Sequence, residues 1–204
     1  PFEILEEIEV PGAESMLNAA VHRDTGRIAL VDEMVHSLFL LEPESFEVAL
    51  EAPLGWGKSY AVSIDQERDA AFVSDWAGAF LHRVDLETGE TVKRYAGPAS
   101  FINRADSAAG LVYVARPLRG SVAVFDADTL EFVRFVKAGY GVRDIVIDKK
   151  RGHLVAGNYF AGTVTVSDLE TGELLEKYRA GPLVRGVDVD PGTGDIIAAW
   201  TCGL

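Results

Sequence analysis

Cysteine is nearly absent from this 204-residue chain: Cys202 stands alone, so no intramolecular disulfide can form and the redox compartment stays open. No apolar run approaches the roughly 20 residues of a membrane-spanning helix, so membrane insertion is not expected. Positive charge is scarce. Nineteen Lys and Arg face 32 Asp and Glu, and the net charge of −13 disfavours nucleic acid and anionic membranes as partners. The four histidines, His22, His36, His82 and His153, have no spacing that resembles a zinc motif. There is no nucleophile elbow of the Gly-x-Ser-x-Gly type, no phosphate loop and no dinucleotide fingerprint. Convincing helical periodicity is missing too. The chain opens at Pro1 with neither an initiator Met nor a signal-peptide pattern, and reads as a mature or excised product.

What the chain does have is a period. Asp24, Asp65, Asp106, Asp148 and Asp190 return at intervals of 41, 41, 42 and 42 residues, each between two short apolar runs. A second column puts ten residues between Asp32 and Glu42, Asp75 and Asp85, Arg116 and Asp126, and Asn158 and Asp168. Five residues later a glutamate follows in each unit: Glu47, Glu90, Glu131 and Glu173. A period near forty built from short strands predicts an all-β fold, a β-propeller whose repeats are four-stranded antiparallel blades of about 42 residues. Hydrophobic content of 48% suffices for a packed core, and stacked repeats argue for one domain over 1–204. The units run 15–55, 56–97, 98–139 and 140–181, with an outer strand in 1–14 and an incomplete unit in 182–204. In the unit from Val142 to Gly181, strands are predicted at Arg143–Ile147, His153–Ala156, Thr163–Ser167 and Glu173–Tyr178, with Asx and Gly at every corner.

The inner strand and turn Arg185-Gly186-Val187-Asp188-Val189-Asp190-Pro191 carry a family likeness. So do Thr163-Val164-Thr165-Val166-Ser167-Asp168 with Thr171-Gly172-Glu173, and the strand endings Val73-Ser74-Asp75 and Ala156-Gly157-Asn158. Across nearly the whole chain these segments resemble the YVTN propeller repeats, relatives of the NHL and gluconolactonase-like propellers. The resemblance implies fold more than activity, and favours a periplasmic or extracellular location. Unit three departs from it, with Arg116 in the Asn/Asp position and Asn103-Arg104 in its inner strand, which marks that unit as adapted for something besides packing. Pro1-Phe2-Glu3-Ile4 aligns with the outermost strand at Ser45-Phe46-Glu47-Val48, and Ala199-Trp200-Thr201-Cys202 aligns with a strand-two ending. About five blades are therefore represented, as part of a larger propeller of six to eight; the rival is a five-bladed ring closed by its N-terminal strand.

Strand alternation and hairpin geometry sort residues onto two faces. The bottom turns, from strand one to two and three to four, are acidic. The top turns carry Lys58, Arg116, Arg119, Arg143 and Arg185, together with Trp56, Tyr60, Trp76, Phe101, Tyr140, Tyr159, Phe160 and Trp200. Aromatics beside arginines are the stuff of binding hot spots, although aromatics in propeller turns also serve simply to plug the gaps between blades. Arg143 and Arg185 share a column with Ala19, Tyr60 and Phe101, five residues ahead of the recurring aspartate, and are expected to face the channel mouth. Two guanidiniums in adjacent blades suit a carboxylate or phosphate. Alternatively they pair with Asp144 and Asp188. The candidate site is Trp56, Tyr60, Phe101, Arg116, Arg143 and Arg185, with no catalytic or metal-binding residue assigned. The recurring aspartates are read as acceptors of turn amides rather than metal ligands.

Three functions fit. The first is a non-enzymatic binding or scaffold propeller that presents its top face to a protein partner or small anionic ligand. The second is a metal-dependent lyase or lactonase, for which only Asn103, Asp144 and Asp188 could line the channel. The third is a redox-cofactor propeller, which would need His22 or Tyr60 as an axial ligand. No cofactor is assigned.

Overall fold

In the computed structural model, which describes residues 7–201, short strands fill the chain in sequence order. The first sheet holds β1 (Met16–Val21), β2 (Ile28–Asp32), β3 (Ser37–Leu41) and β4 (Val48–Pro53). The second holds β5 (Ser59–Asp65), β6 (Ala70–Asp75), β7 (Phe80–Asp85) and β8 (Thr91–Tyr95). The third is built from β9 (Asn103–Asp106), β10 (Leu111–Arg116), β11 (Ser121–Asp126) and β12 (Phe132–Lys137). The fourth comprises β13 (Val142–Asp148), β14 (His153–Asn158), β15 (Thr163–Asp168) and β16 (Leu174–Arg179). A fifth sheet has β17 (Val184–Val189) and β18 (Ile196–Trp200). All pairs are antiparallel neighbours in sequence, and the first strands pack in succession, β1 on β5, β5 on β9, β9 on β13 and β13 on β17. This is a β-propeller with five inner strands.

The core lies between blades, because each sheet is apolar on both faces. Val31, Leu38 and Leu40 of the first blade meet Val62, Val73 and Val84 of the second. Phe72 and Leu81 meet Val112, Val114 and Phe125, and Val122 and Val124 meet Ile145 and Leu154. Val164 and Val166 meet Val184 and Val187. In β3 alternate residues serve opposite faces: Leu38 and Leu40 look to the second blade, while Phe39 and Leu41 pack under Val10. Of the outer strand expected in 1–14, residues 1–6 lie outside the described residues, and Glu7 to Ser15 carry no strand. The turn position of Cys202 also lies outside them.

The aspartate column closes the hairpins between strands one and two, with one correction. Oδ1 of Asp65, Asp106, Asp148 and Asp190 accepts the amide of the residue three places on, at 2.7–3.3 Å. In the first blade that acceptor is Nδ1 of His22, which takes the Thr25 amide at 3.4 Å, and not Asp24. The pairing agrees: Met16 lies opposite Asp32 as Ser59 lies opposite Asp75, so His22 is the counterpart of Asp65. His22 is therefore a turn residue, and its Nε2 lies 3.3 Å from Asp69 of the next blade.

Turns from strand three to four use a different device. Asp85, Asp126 and Asp168 each accept two amides and a threonine hydroxyl, from Thr88, Thr129 and Thr171, and these donors hold all three carboxyls below the usual range. The chain then needs a left-handed residue, supplied by Gly89 (φ 76°) and Gly172 (φ 74°) but by Leu130 in the third blade (φ 56°).

Candidate functional site

Four inner strands carry a register shift at one position, between Met16 and Asn18, Ser59 and Ala61, Val142 and Asp144, and Val184 and Gly186. The residues left unpaired are Leu17, Tyr60, Arg143 and Arg185. A β-bulge re-aims the side chain of the extra residue, and here it does so at the top of the channel in blade after blade. The column expected from sequence is present, but its first-blade member is Leu17 instead of Ala19, for the same reason that His22 replaces Asp24. Phe101, just ahead of β9, completes the ring, held by its amide on the Ala115 carbonyl at 3.0 Å.

These side chains meet. The rings of Tyr60 and Phe101 lie 3.9 Å apart between centroids. Arg143 reaches from the fourth blade to the second, donating from Nη2 to the Tyr60 hydroxyl at 3.0 Å, with its guanidinium carbon 5.0 Å from the Phe101 ring. On its other flank stands Tyr159, from the loop after β14, at 5.2 Å. Arg185 lies 5.9 Å from the same Tyr159 ring and donates from Nε to the Thr201 hydroxyl at 2.8 Å. Tyr159 was one of several top-turn aromatics in the sequence; it proves to be the ring that both arginines share.

Neither Asp144 nor Asp188 pairs with these arginines. Asp144 accepts from Arg104 Nη2 at 2.9 Å and from the amides of Ile145 and Val187, while Asp188 accepts the Val189 amide. Among the described residues no carboxylate comes within 4 Å of Arg143 or Arg185. Two guanidiniums over one ring, without a counter-ion, leave several N–H donors for an incoming anion.

The remaining two candidates stand apart. Arg116 ends β10, where the other blades have Asp32, Asp75 and Asn158. Those residues accept amides of the neighbouring top loops, as Asp75 does from Lys58, Ala77 and Gly78 at 2.8–3.0 Å. Side chains at this position turn towards the adjoining loop, and Arg116 does the same: it lies over Phe135 at 4.8 Å and against Gly97. Its place in unit three is thus one of packing. Trp56, 79% exposed between β4 and β5, makes no ring contact with the mouth residues.

Below the mouth a channel of about 850 Å³ runs between the inner strands, lined by Ser63, Ile102, Arg104, Ile145 and Asp188 among others. Its lining reaches the bottom turns at Arg23, Gln66 and Lys149 and includes none of the mouth residues. The polar groups on which channel chemistry would depend are largely spent. The Asn103 amide donates to the Ala61 carbonyl and Ser74 hydroxyl, its oxygen is bonded to Ser63, and Asp144 is held by Arg104. Among the described residues no three His, Cys, Asp or Glu side chains gather as a metal would require.

No family model matches the chain, and no curated protein resembles it significantly in sequence. Among solved structures it is similar to a chain of hydrazine synthase from Kuenenia stuttgartiensis, with a TM-score of 0.83 and 17% identity over 97% of this chain. The match spans 58% of that protein's chain. Since 1369 solved chains match, the likeness fixes the architecture and is silent on activity.

Proposed function

We propose that this is a binding propeller whose top mouth captures an anionic group, a carboxylate or phosphate, between Arg143 and Arg185. The observation that carries this reading is the pair of unneutralised guanidiniums on equivalent bulges of adjacent inner strands, both against Tyr159. Tyr60 and Phe101 pre-set the Arg143 geometry, so less side-chain freedom is lost when an anion arrives. The YVTN-like repeat signatures, and with them an extracytoplasmic location, belong to this proposal. So does a ring of more than five blades, supported by the exposed Met16, Leu17 and Val21 of β1.

The test is a titration with inorganic phosphate and with acetate, followed by NMR shifts of the arginine side chains at two salt concentrations. Saturable binding is expected, several-fold weaker when added salt shortens the screening length from about 10 Å at 0.1 M to about 3 Å at 1 M. Arg143→Ala with Arg185→Ala should abolish it while the fold persists, because among the described residues neither guanidinium is held in an ion pair. Binding that survives in the double variant, or no binding by the native protein, overturns the reading.

A further inference from the structure

We infer that the occupant of the top face is an acidic segment of a protein partner, which places a carboxylate between the two arginines and lays a neighbouring apolar side chain on a shelf formed by Tyr140 and Phe160. This rests on the anion site just proposed and specifies what fills it. The two shelf rings lie 5.4 Å apart between centroids, tilted by 33°, and are 56% and 58% exposed. Phe160 also meets Tyr159 edge-on at 5.2 Å, so shelf and arginine pair share one ring and form a continuous surface.

Two observations favour a polypeptide over a small metabolite. The first is the contrast between faces made by one repeat. At the top, the loops that join strands two and three expose Met34, Trp76, Leu118 and Phe160, each by 43–58%, one in every complete blade. The bottom turns reach solvent with Glu67, Glu87, Asp128, Thr129, Lys150 and Glu170. Turn geometry exposes both sets equally, so exposure alone does not account for large apolar side chains at four top tips; water is a poor partner for them, and a protein surface a good one. The second is charge. The top arginines 119, 143 and 185 have no ion pair among the described residues, while the chain as a whole carries −13. An acidic segment is drawn to arginines without a partner on a chain that is otherwise strongly negative. A carboxylate-bearing metabolite would satisfy the arginines and leave the shelf bare.

The experiment is selection of a random peptide library on the purified protein, followed by affinity measurement of the enriched peptides and, separately, of inorganic phosphate. Enrichment of Asp or Glu within one or two residues of an aromatic or large aliphatic residue is expected. Tyr140→Ser with Phe160→Ser should then weaken the selected peptides at least about tenfold, yet change phosphate affinity less than about twofold; the conservative Phe160→Leu should restore part of the loss. Peptides enriched without that acid–apolar pattern, peptides indifferent to the shelf variant, or no enrichment at all each overturn the inference. Phosphate binding that depends on Arg143 and Arg185 would then leave the anion site standing by itself, whereas its absence would remove both.

Discussion

His82, in the third strand of the second blade, is 1% exposed and its two ring nitrogens have no hydrogen-bond partner. Burial pushes its pKa down from 6.5 to about 4, against the pull of Asp75, 4.0 Å away, and with some help from Lys93. Because the folded pKa lies below the unfolded one, protons bind the unfolded chain preferentially between those values. Stability is therefore complete above pH 6.5 and lost as the pH falls towards 4. At about 1.4 kcal/mol per pH unit the gap amounts to about 3 kcal/mol, a large fraction of the stability of an ordinary domain. Replacing the ring by leucine, His82→Leu, removes both the proton site and two unpaired polar atoms, each of which costs about 1–3 kcal/mol when buried without a partner. The variant should match or exceed the native protein in urea at about pH 7.5. It should also lose about 2–3 kcal/mol less than the native protein on going to about pH 4.5, with tryptophan fluorescence as the readout. The carboxylates titrate in both proteins, so the difference between them isolates His82. Parallel curves for the two proteins would show that His82 is hydrated or paired in a way that this geometry does not contain.

The turn aspartates act at lower pH. Donated hydrogen bonds depress the carboxyls of Asp85, Asp126 and Asp168, so their contribution is present above the unfolded value of about 4 and lost as the pH falls through the folded one. The variant carrying D85N, D126N and D168N should show a flatter stability profile below about pH 4 by circular dichroism, and an unchanged acid slope would refute this role. Leu154→Ala, at a fully buried site between the third and fourth blades, should cost about 2–5 kcal/mol in urea unfolding, and a loss well under 1 kcal/mol would mean that the blades are not packed there as described.

Much of the architecture is legible in sequence because a blade cannot bury its faces alone, so each repeat must restate the same strands and corners. The inner strands with Tyr60, Arg143 and Arg185 follow from period and alternation, and so does the mouth that they share. What period and alternation could not supply is the bulge. Counting five residues back from Asp24 puts Ala19 in the mouth column, but the turn from His22 to Arg27 has the same length as that from Asp65 to Ala70, so the true counterpart of Asp65 is His22, two residues earlier, and the bulge position is Leu17. Asp24 only imitates the period; His22 does its work because a neutral imidazole nitrogen accepts the Thr25 amide as a carboxylate would.

Arg116 and Tyr159 show the same limit from two sides. Both sit at top turns and both looked eligible for the mouth, one as a cation and the other as one ring among many. Direction decides between them. The last residue of a second strand turns to the adjoining loop, where Asp75 gathers amides and Arg116 finds Phe135; the residue after it is free to turn inward, as Tyr159 does beneath two guanidiniums. A one-residue offset in a strand reverses the face to which a side chain belongs, so composition can mark a face as aromatic and basic while only the register says which arginines converge. Here it brings Arg143 and Arg185 to one shared ring, with no carboxylate within 4 Å of either among the described residues, and that convergence is what the proposed anion site rests on.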